Sequence, residues 1–211
     1  PPRSTLFPYT TLFRSNEWTY LKECLDTNFV SSVGPFVDRF EHELAAFTGS
    51  KFAVAVSTGT AALHISLLVT GIKPDEEVLV STLTFVAPVN AIRYVGAWPV
   101  FIDAEPDYWQ MDVEKVRGFL EKDCIWKNGI LMNRHTQRNV TAIMPVHILG
   151  HPVDMQPLLE LARKYNLVVI EDATESLGAK YQDNPTGTLG DIACLSFNGN
   201  KIIATGGGGM I

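Results

Sequence analysis

Cysteine is scarce in this chain. Its 211 residues hold three, Cys24, Cys124 and Cys194. The odd number and the lack of any C-x-x-C spacing exclude a disulfide framework or a zinc ribbon, and fit thiols kept reduced in a cytoplasmic compartment. The five histidines, His42, His64, His135, His147 and His151, never fall in H-E-x-x-H order, which argues against a zinc enzyme. No apolar run approaches the roughly 20 residues that span a bilayer. Positive charge is not in excess: the net charge is -6, the wrong sign for a nucleic-acid partner. Neither G-x-x-x-x-G-K-[ST] nor G-x-G-x-x-G occurs, so nucleotide triphosphate and dinucleotide loops are absent. What is present is 46% hydrophobic and 19% charged, an ordinary globular composition able to build a sizeable core.

Residues 1–15 stand apart. They repeat Thr-Leu-Phe at Thr5-Leu6-Phe7 and Thr11-Leu12-Phe13 and have neither the apolar centre of a signal peptide nor a transit-peptide face. They read as a non-native, adapter-derived segment, with a disordered arm as the alternative. From Asn16 the pattern is helical, with Trp18, Leu21, Cys24 and Leu25 near helical spacing. Val30 to Pro35 reads as a loop, and Phe36, Phe40, Leu44 and Phe47 mark a second helix stopped by Gly49.

The chain then alternates. Strands are expected at Phe52 to Ser57, Glu77 to Ser81, Pro99 to Asp103, Thr141 to Val146, Leu167 to Glu171 and Ile192 to Phe197. Helices are expected at Thr60 to Thr70, Phe85 to Val95, Asp112 to about Glu121, and Met155 to Tyr165. Continuous apolar strands separated by helices imply an α/β fold of three layers, a mostly parallel sheet with helices on both faces. Asn128-Gly129, flanked by apolar residues, adds a peripheral hairpin. Ligands on such sheets bind beyond the carboxyl ends of the strands.

Three strand ends carry residues suited to chemistry. Ser57-Thr58-Gly59-Thr60-Ala61-Ala62 runs from strand into helix, where the N–H groups of Thr60 and Ala61 suit a phosphate monoester. The plainer reading is that Thr58 or Thr60 caps the helix. Asp172 follows the apolar run Leu167 to Ile170 and Glu171, and a carboxylate there needs a positive partner, such as a protonated pyridine nitrogen, a metal ion or a helix to cap. Ser196 ends the last strand, and Lys201 follows five residues later, ahead of Thr205 and four glycines. A lysine in an enclosed site suits Schiff-base chemistry, because burial disfavours the ammonium form. Phe85 is placed either to stack on a flat ring or to pack in the core.

A phosphate cradle, a strand-end Asp, a Ser and a Lys, in that order on a parallel sheet, describe a site for pyridoxal 5'-phosphate. Thr58-Gly59-Thr60-Ala61-Ala62-Leu63, Thr84-Phe85-Val86-Ala87, Pro145-Val146-His147, Glu171-Asp172-Ala173 and Ser196-Phe197-x-x-x-Lys201 resemble the DegT/DnrJ/EryC1/StrS sugar aminotransferases, which are fold-type-I enzymes. Val30-Ser31-Ser32-Val33-Gly34 and Asn198-Gly199-Asn200-Lys201-Ile202-Ile203 are similar to the LegC-like branch. The resemblance implies transfer of an amino group, with glutamate as donor, to C4 of a UDP-linked 2-acetamido-2,6-dideoxy-4-keto-hexose in legionaminic-acid-like sugar biosynthesis. It makes Lys201 the catalytic Schiff-base amine, pairs Asp172 with the ring nitrogen, stacks Phe85 on the ring, and gives the phosphate to Thr60, Ala61 and Ser196. Glu175 stands where many relatives carry Gln or His near the ring hydroxyl, so a carboxylate there has either to be protonated or to point away.

The resemblance further implies a homodimer, and makes residues 16–211 an incomplete large domain whose remainder and small domain lie beyond Ile211. On that expectation the chain alone is inactive and exposes apolar surface. Two alternatives remain at this level: a sugar dehydratase of the same family, whose members replace the lysine with histidine, and a non-catalytic regulatory protein on the aminotransferase fold.

Overall fold

The computed structural model describes residues 16–31 and 33–211, so residues 1–15, read above as non-native, and Ser32 lie outside the described residues. Among the described residues two compact units are distinguished, one ending at Phe40 and the other Glu41–Ile211. In the first, helix α1 spans Glu17–Asp26, and Tyr20 meets the Phe36 ring with centroids 5.0 Å apart. The Arg39 guanidinium lies over the Tyr20 ring, 5.3 Å from its centroid. Helix α2, Pro35–Thr48, carries the chain into the second unit, and Gly49 stops it with φ at +81°.

The second unit is built on a seven-stranded sheet. Its strands are β1 (Ala55–Val56), β2 (Glu77–Ser81), β3 (Trp98–Ile102), β6 (Val140–Met144), β7 (Val168–Asp172), β10 (Ile192–Ser196) and β11 (Gly209–Met210). The spatial order is β1-β11-β10-β7-β6-β2-β3. Strands β3, β2, β6, β7 and β10 run parallel, and β11 is antiparallel to both β10 and β1. The connecting helices are α3 (Gly59–Val69), α4 (Val86–Tyr94), α5 (Val113–Gly118) and α6 (Met155–Tyr165).

The core shows why the strands are apolar without a break. Val78, Val80, Ala142, Met144, Ile170 and Cys194 pack with Leu63, Leu67 and Ile92. Their neighbours Leu79, Ile143 and Val169 pack with Leu158, Leu161, Val116 and Leu120 in a separate cluster. Successive strand residues point to opposite faces, so a helix layer on each side demands apolar residues at every position.

Three expectations are corrected. The strand drawn at Phe52 to Ser57 is only Ala55–Val56, because it lies at the sheet edge and pairs with β11 alone; Val54 adds a reciprocal pair of backbone bonds with Ile211. The helix opened by Asp112, whose carboxylate accepts from the Glu114 and Lys115 amides, is α-helical only to Gly118 and continues as a π-helical turn, Phe119–Asp123. The set of strands expected above ends at Phe197, but the last of the four glycines, Gly209, enters a further strand, β11. The hairpin around Asn128-Gly129 is present as β4 (Cys124–Lys127) and β5 (Ile130–Asn133), and both turn residues have positive φ, as a tight two-residue turn requires. A second small hairpin, β8 (Lys180–Tyr181) and β9 (Asn184–Pro185), was not expected.

Candidate active site

The carboxyl ends of β7 and β10 open on a cavity of about 300 Å3, lined by Thr58, Gly59, Thr60, Phe85, Asp172, Thr174, Glu175, Ser196, Asn198, Asn200 and Lys201 among others. A larger cavity between Leu44, Phe52 and Ile192 holds none of the residues singled out above. The residues suited to chemistry converge on the first cavity, which is the candidate site.

One wall is the start of α3. Thr58, extended at φ -158°, caps the helix, and its Oγ1 accepts from the Ala61 N–H at 3.0 Å. The plainer capping reading therefore holds for Thr58. Ala61 has its amide committed to that cap and does not line the cavity, whereas Thr60 does. Gly59 makes the wall possible. A Cβ there would lie 2.8 Å from the Ser196 Cβ, 3.1 Å from its Oγ and 3.2 Å from the Thr174 Cγ2. The helix N-terminus and Ser196 therefore approach one another more closely than any other residue would allow.

The floor is Asp172, the last residue of β7, opposite Cys194 of β10 in the parallel ladder. It is 3% exposed. Its Oδ1 accepts from the Thr174 N–H at 3.1 Å. Burial pushes its carboxyl above the ordinary range, against the opposing pull of Thr174, His147 and Lys201. Such a group gains from a cationic N–H partner.

Behind Asp172 lies a device that the sequence did not disclose. Glu171 and His147 are fully buried and bonded, His147 Nε2 to Glu171 Oε2, at 2.9 Å. The Val153 N–H donates to His147 Nδ1 at 3.1 Å, which leaves Nε2 as the nitrogen that donates to Glu171. Glu171 also accepts the N–H groups of Gly187, Leu189 and Gly190 at 2.8, 2.7 and 2.6 Å. Burial alone would raise the Glu171 carboxyl; His147 and these amides outweigh it and hold it below the usual range. The next residue in the chain, Asp172, is thereby fixed on a braced strand. The only available signal was the presence of Pro145-Val146-His147 and Glu171 at adjacent strand ends.

Lys201 is not on the strand. It sits in the loop after β10, where its N–H donates to Asn198 O, and Phe197 closes the loop through backbone bonds with Thr205 and Gly208. Its Nζ lies 3.1 Å from Glu175 Oε1. Glu175 Oε2 accepts from the Leu149 N–H at 2.9 Å. Burial works to raise the Glu175 carboxyl, but the Leu149 N–H and Lys201 prevail and hold it low. Glu175, for which protonation or turning away from the ring were the two options, is here an ion-pair partner of Lys201. Phe85 is 72% exposed and lines the cavity, so it is not a core residue.

The family model for DegT/DnrJ/EryC1/StrS aminotransferases matches residues 12–211. The chain belongs to that family. It is 45% identical over 196 residues to the GDP-perosamine synthase of Caulobacter vibrioides, covering 93% of this chain and 48% of that protein. It is 40% identical to the putative pyridoxal phosphate-dependent aminotransferase EpsN of Bacillus subtilis, covering 92% of this chain and 48% of EpsN. Among solved structures, the aminotransferase from Psychrobacter cryohalolentis superposes with a TM-score of 0.80 at 31% identity, over 99% of this chain and 47% of that one. The chain thus spans about half the length of the curated relatives it matches. The sheet is that of the fold-type-I aminotransferases, and the family's cofactor is pyridoxal phosphate.

The residues present fit that cofactor. The cleft between Gly59 and Ser196 is a cradle that a single Cβ would fill, and the buried Asp172 has a carboxylate in want of a cation. Among the described residues, no helix is long and apolar enough to cross a membrane, and no group of three or more metal-ligating side chains occurs.

Proposed function

We propose that the whole protein is a pyridoxal-phosphate-dependent aminotransferase that moves an amino group, from glutamate, to the C4 keto group of a nucleotide-linked deoxysugar. The observation that carries this reading is the convergence of Asp172, Ser196 and Lys201 on one cavity. When bound, pyridoxal phosphate supplies an electron sink and a carrier for the amino group. In this reading Asp172 holds the proton of the ring nitrogen. Ser196 Oγ and the Thr60 N–H bind the phosphate at the α3 N-terminus, where the helix dipole favours an anion. Ala61 contributes by keeping the Thr58 cap in place, since its own amide is already bonded there. Phe85 covers the ring and excludes water. Lys201 would supply the amine for the Schiff base, and within each half-reaction its freed Nζ would take up and return the proton of the substrate carbon.

The finer substrate reading is the UDP-linked 2-acetamido-2,6-dideoxy-4-keto-hexose of the LegC-like branch. The identity to a GDP-perosamine synthase favours a second, a GDP-linked sugar. The reading takes the protein as a cytoplasmic homodimer; Leu83 and Val86, close to Phe85 in sequence and exposed, are apolar surface that a second subunit would cover. The test is turnover. The whole protein, given pyridoxal phosphate and glutamate, is offered UDP- and GDP-linked 4-keto sugars, and amino-sugar product is measured by mass spectrometry. Formation of 2-oxoglutarate and of one amino sugar is expected. Elimination of a hydroxyl without amine transfer would indicate a dehydratase instead, and neither product would refute the reading.

A further inference from the structure

The turn Ile148–Gly150 is folded against Glu175. Leu149 has a left-handed backbone, φ 55° and ψ 20°, a conformation costly for leucine, yet its side chain is exposed and gains nothing from the core. What the conformation does is aim the Leu149 N–H at Glu175 Oε2, 2.9 Å away. Gly150, at φ +82°, passes so near that a Cβ there would lie 3.1 Å from the Glu175 carbonyl oxygen. The other oxygen, Oε1, takes Lys201 Nζ at 3.1 Å. The side chains are 34% and 15% exposed, so the pair is partly shielded from water. Among the described residues that line the cavity, the charged groups besides Lys201 are Glu175, in contact with it, and Asp172 on the floor, with His147 and Glu171 behind Asp172. Asn198 and Asn200, from the lysine's own loop, are neutral.

We propose that Glu175 is a positioning residue: it docks the Lys201 amine on the cavity wall as an ammonium and restrains it as a nucleophile until the proton is given up. This rests on the reading of Lys201 as the Schiff-base amine. An ammonium has no free electron pair. The nitrogen must lose one proton before it adds to an aldehyde carbon, and the carbonyl oxygen then leaves as water. A carboxylate in contact opposes that loss, whereas glutamine in its place keeps the reach and removes the charge. The strained Leu149 turn holds the carboxylate in register with the amine.

The experiment uses the cofactor-free protein and the Glu175→Gln variant, each treated with an amine-acylating reagent across a pH series. Modification of Lys201 is read by mass spectrometry against the exposed Lys180 of the same molecules. The Lys201-to-Lys180 rate ratio is expected to rise about fivefold near neutral pH in Glu175→Gln, and the two proteins should converge at alkaline pH, where amines are neutral in both. A side chain that only braces the fold would leave this pH profile where it is, and identical profiles overturn the proposal. If Glu175→Gln does not fold, the unaltered protein carries the test: raising the salt from about 0.05 M to about 1 M weakens the pair and should lift the ratio roughly twofold. A flat ratio overturns the proposal. Because no cofactor is present, failure here leaves the cofactor reading intact, and failure of cofactor binding leaves this ratio measurable.

Discussion

Gly59→Ala separates a functional cradle from an ordinary helix start by the sign of its effect. Gly59 is the first residue of α3 and has no positive φ, so alanine is allowed by the backbone. On helix propensity alone the change should stabilise the protein, by up to about 1 kcal/mol. The structure predicts the opposite. The new methyl would sit 2.8 Å from the Ser196 Cβ, and carbon atoms rest at about 3.5–4.0 Å, so α3 and β10 must separate by roughly 1 Å. Overpacking of this kind costs about 1–3 kcal/mol. The same retreat stretches hydrogen bonds of about 3 Å beyond their useful range for any phosphate bridging Ser196 and the Thr60 amide. Losing one bond to a charged group, about 1.5–3 kcal/mol, corresponds to roughly a tenfold to hundredfold loss of affinity. The assays are urea denaturation and titration with pyridoxal phosphate alongside pyridoxal, which has no phosphate. The variant should be less stable and should lose affinity for pyridoxal phosphate while binding pyridoxal as before. A variant as stable as the original, with unchanged affinity for both, would refute the cradle.

Ser196→Ala should weaken pyridoxal phosphate binding about tenfold and leave pyridoxal unaffected, by the same titration. Asp172→Asn should keep the fold but speed loss of cofactor on dialysis, since the amide cannot pair with a ring cation; equal retention would remove Asp172 from the site. Glu171→Gln should cost about 3 kcal/mol in urea denaturation, because an amide cannot accept from His147 and three backbone amides together. Its pH dependence has a definite sign. The folded Glu171 carboxyl is held below its ordinary 4.5, so its contribution is present above pH 4.5 and is lost as pH falls through the lower folded value. The variant should lack that part of the acid transition; an identical acid limb in both proteins would contradict it.

Much of the architecture was legible because both faces of the sheet are covered. Leu79 and Val80 had to be apolar together, and such runs identify buried parallel strands. Where one neighbour is missing, the signal weakens: Phe52 to Val54 read as strand, but edge position leaves most of that run outside the ladder. Strand β11 was hidden because Gly209 and its neighbours carry no side-chain pattern. Within the site, strand ends placed Asp172 and Ser196, and the strand-to-helix switch placed Thr60. The Ala61 amide was over-assigned because capping by Thr58 competes for the same donor. The Glu175 contacts were beyond reach, since Lys201 is 26 residues away and the Leu149 turn also 26 residues in the other direction. The buried Glu171–His147 pair depends on the packing of β6 against β7, which spacing in one chain does not encode.

The central claim is that Lys201 is the amine that captures the cofactor. Reduction with borohydride after addition of pyridoxal phosphate fixes any Schiff base as a stable secondary amine, and peptide mass spectrometry then locates it. A phosphopyridoxyl group is expected on Lys201, formed in preference to the exposed Lys180 and abolished at that peptide by Asp172→Asn combined with Ser196→Ala. Label spread over surface lysines, with Lys201 unmodified, would contradict it.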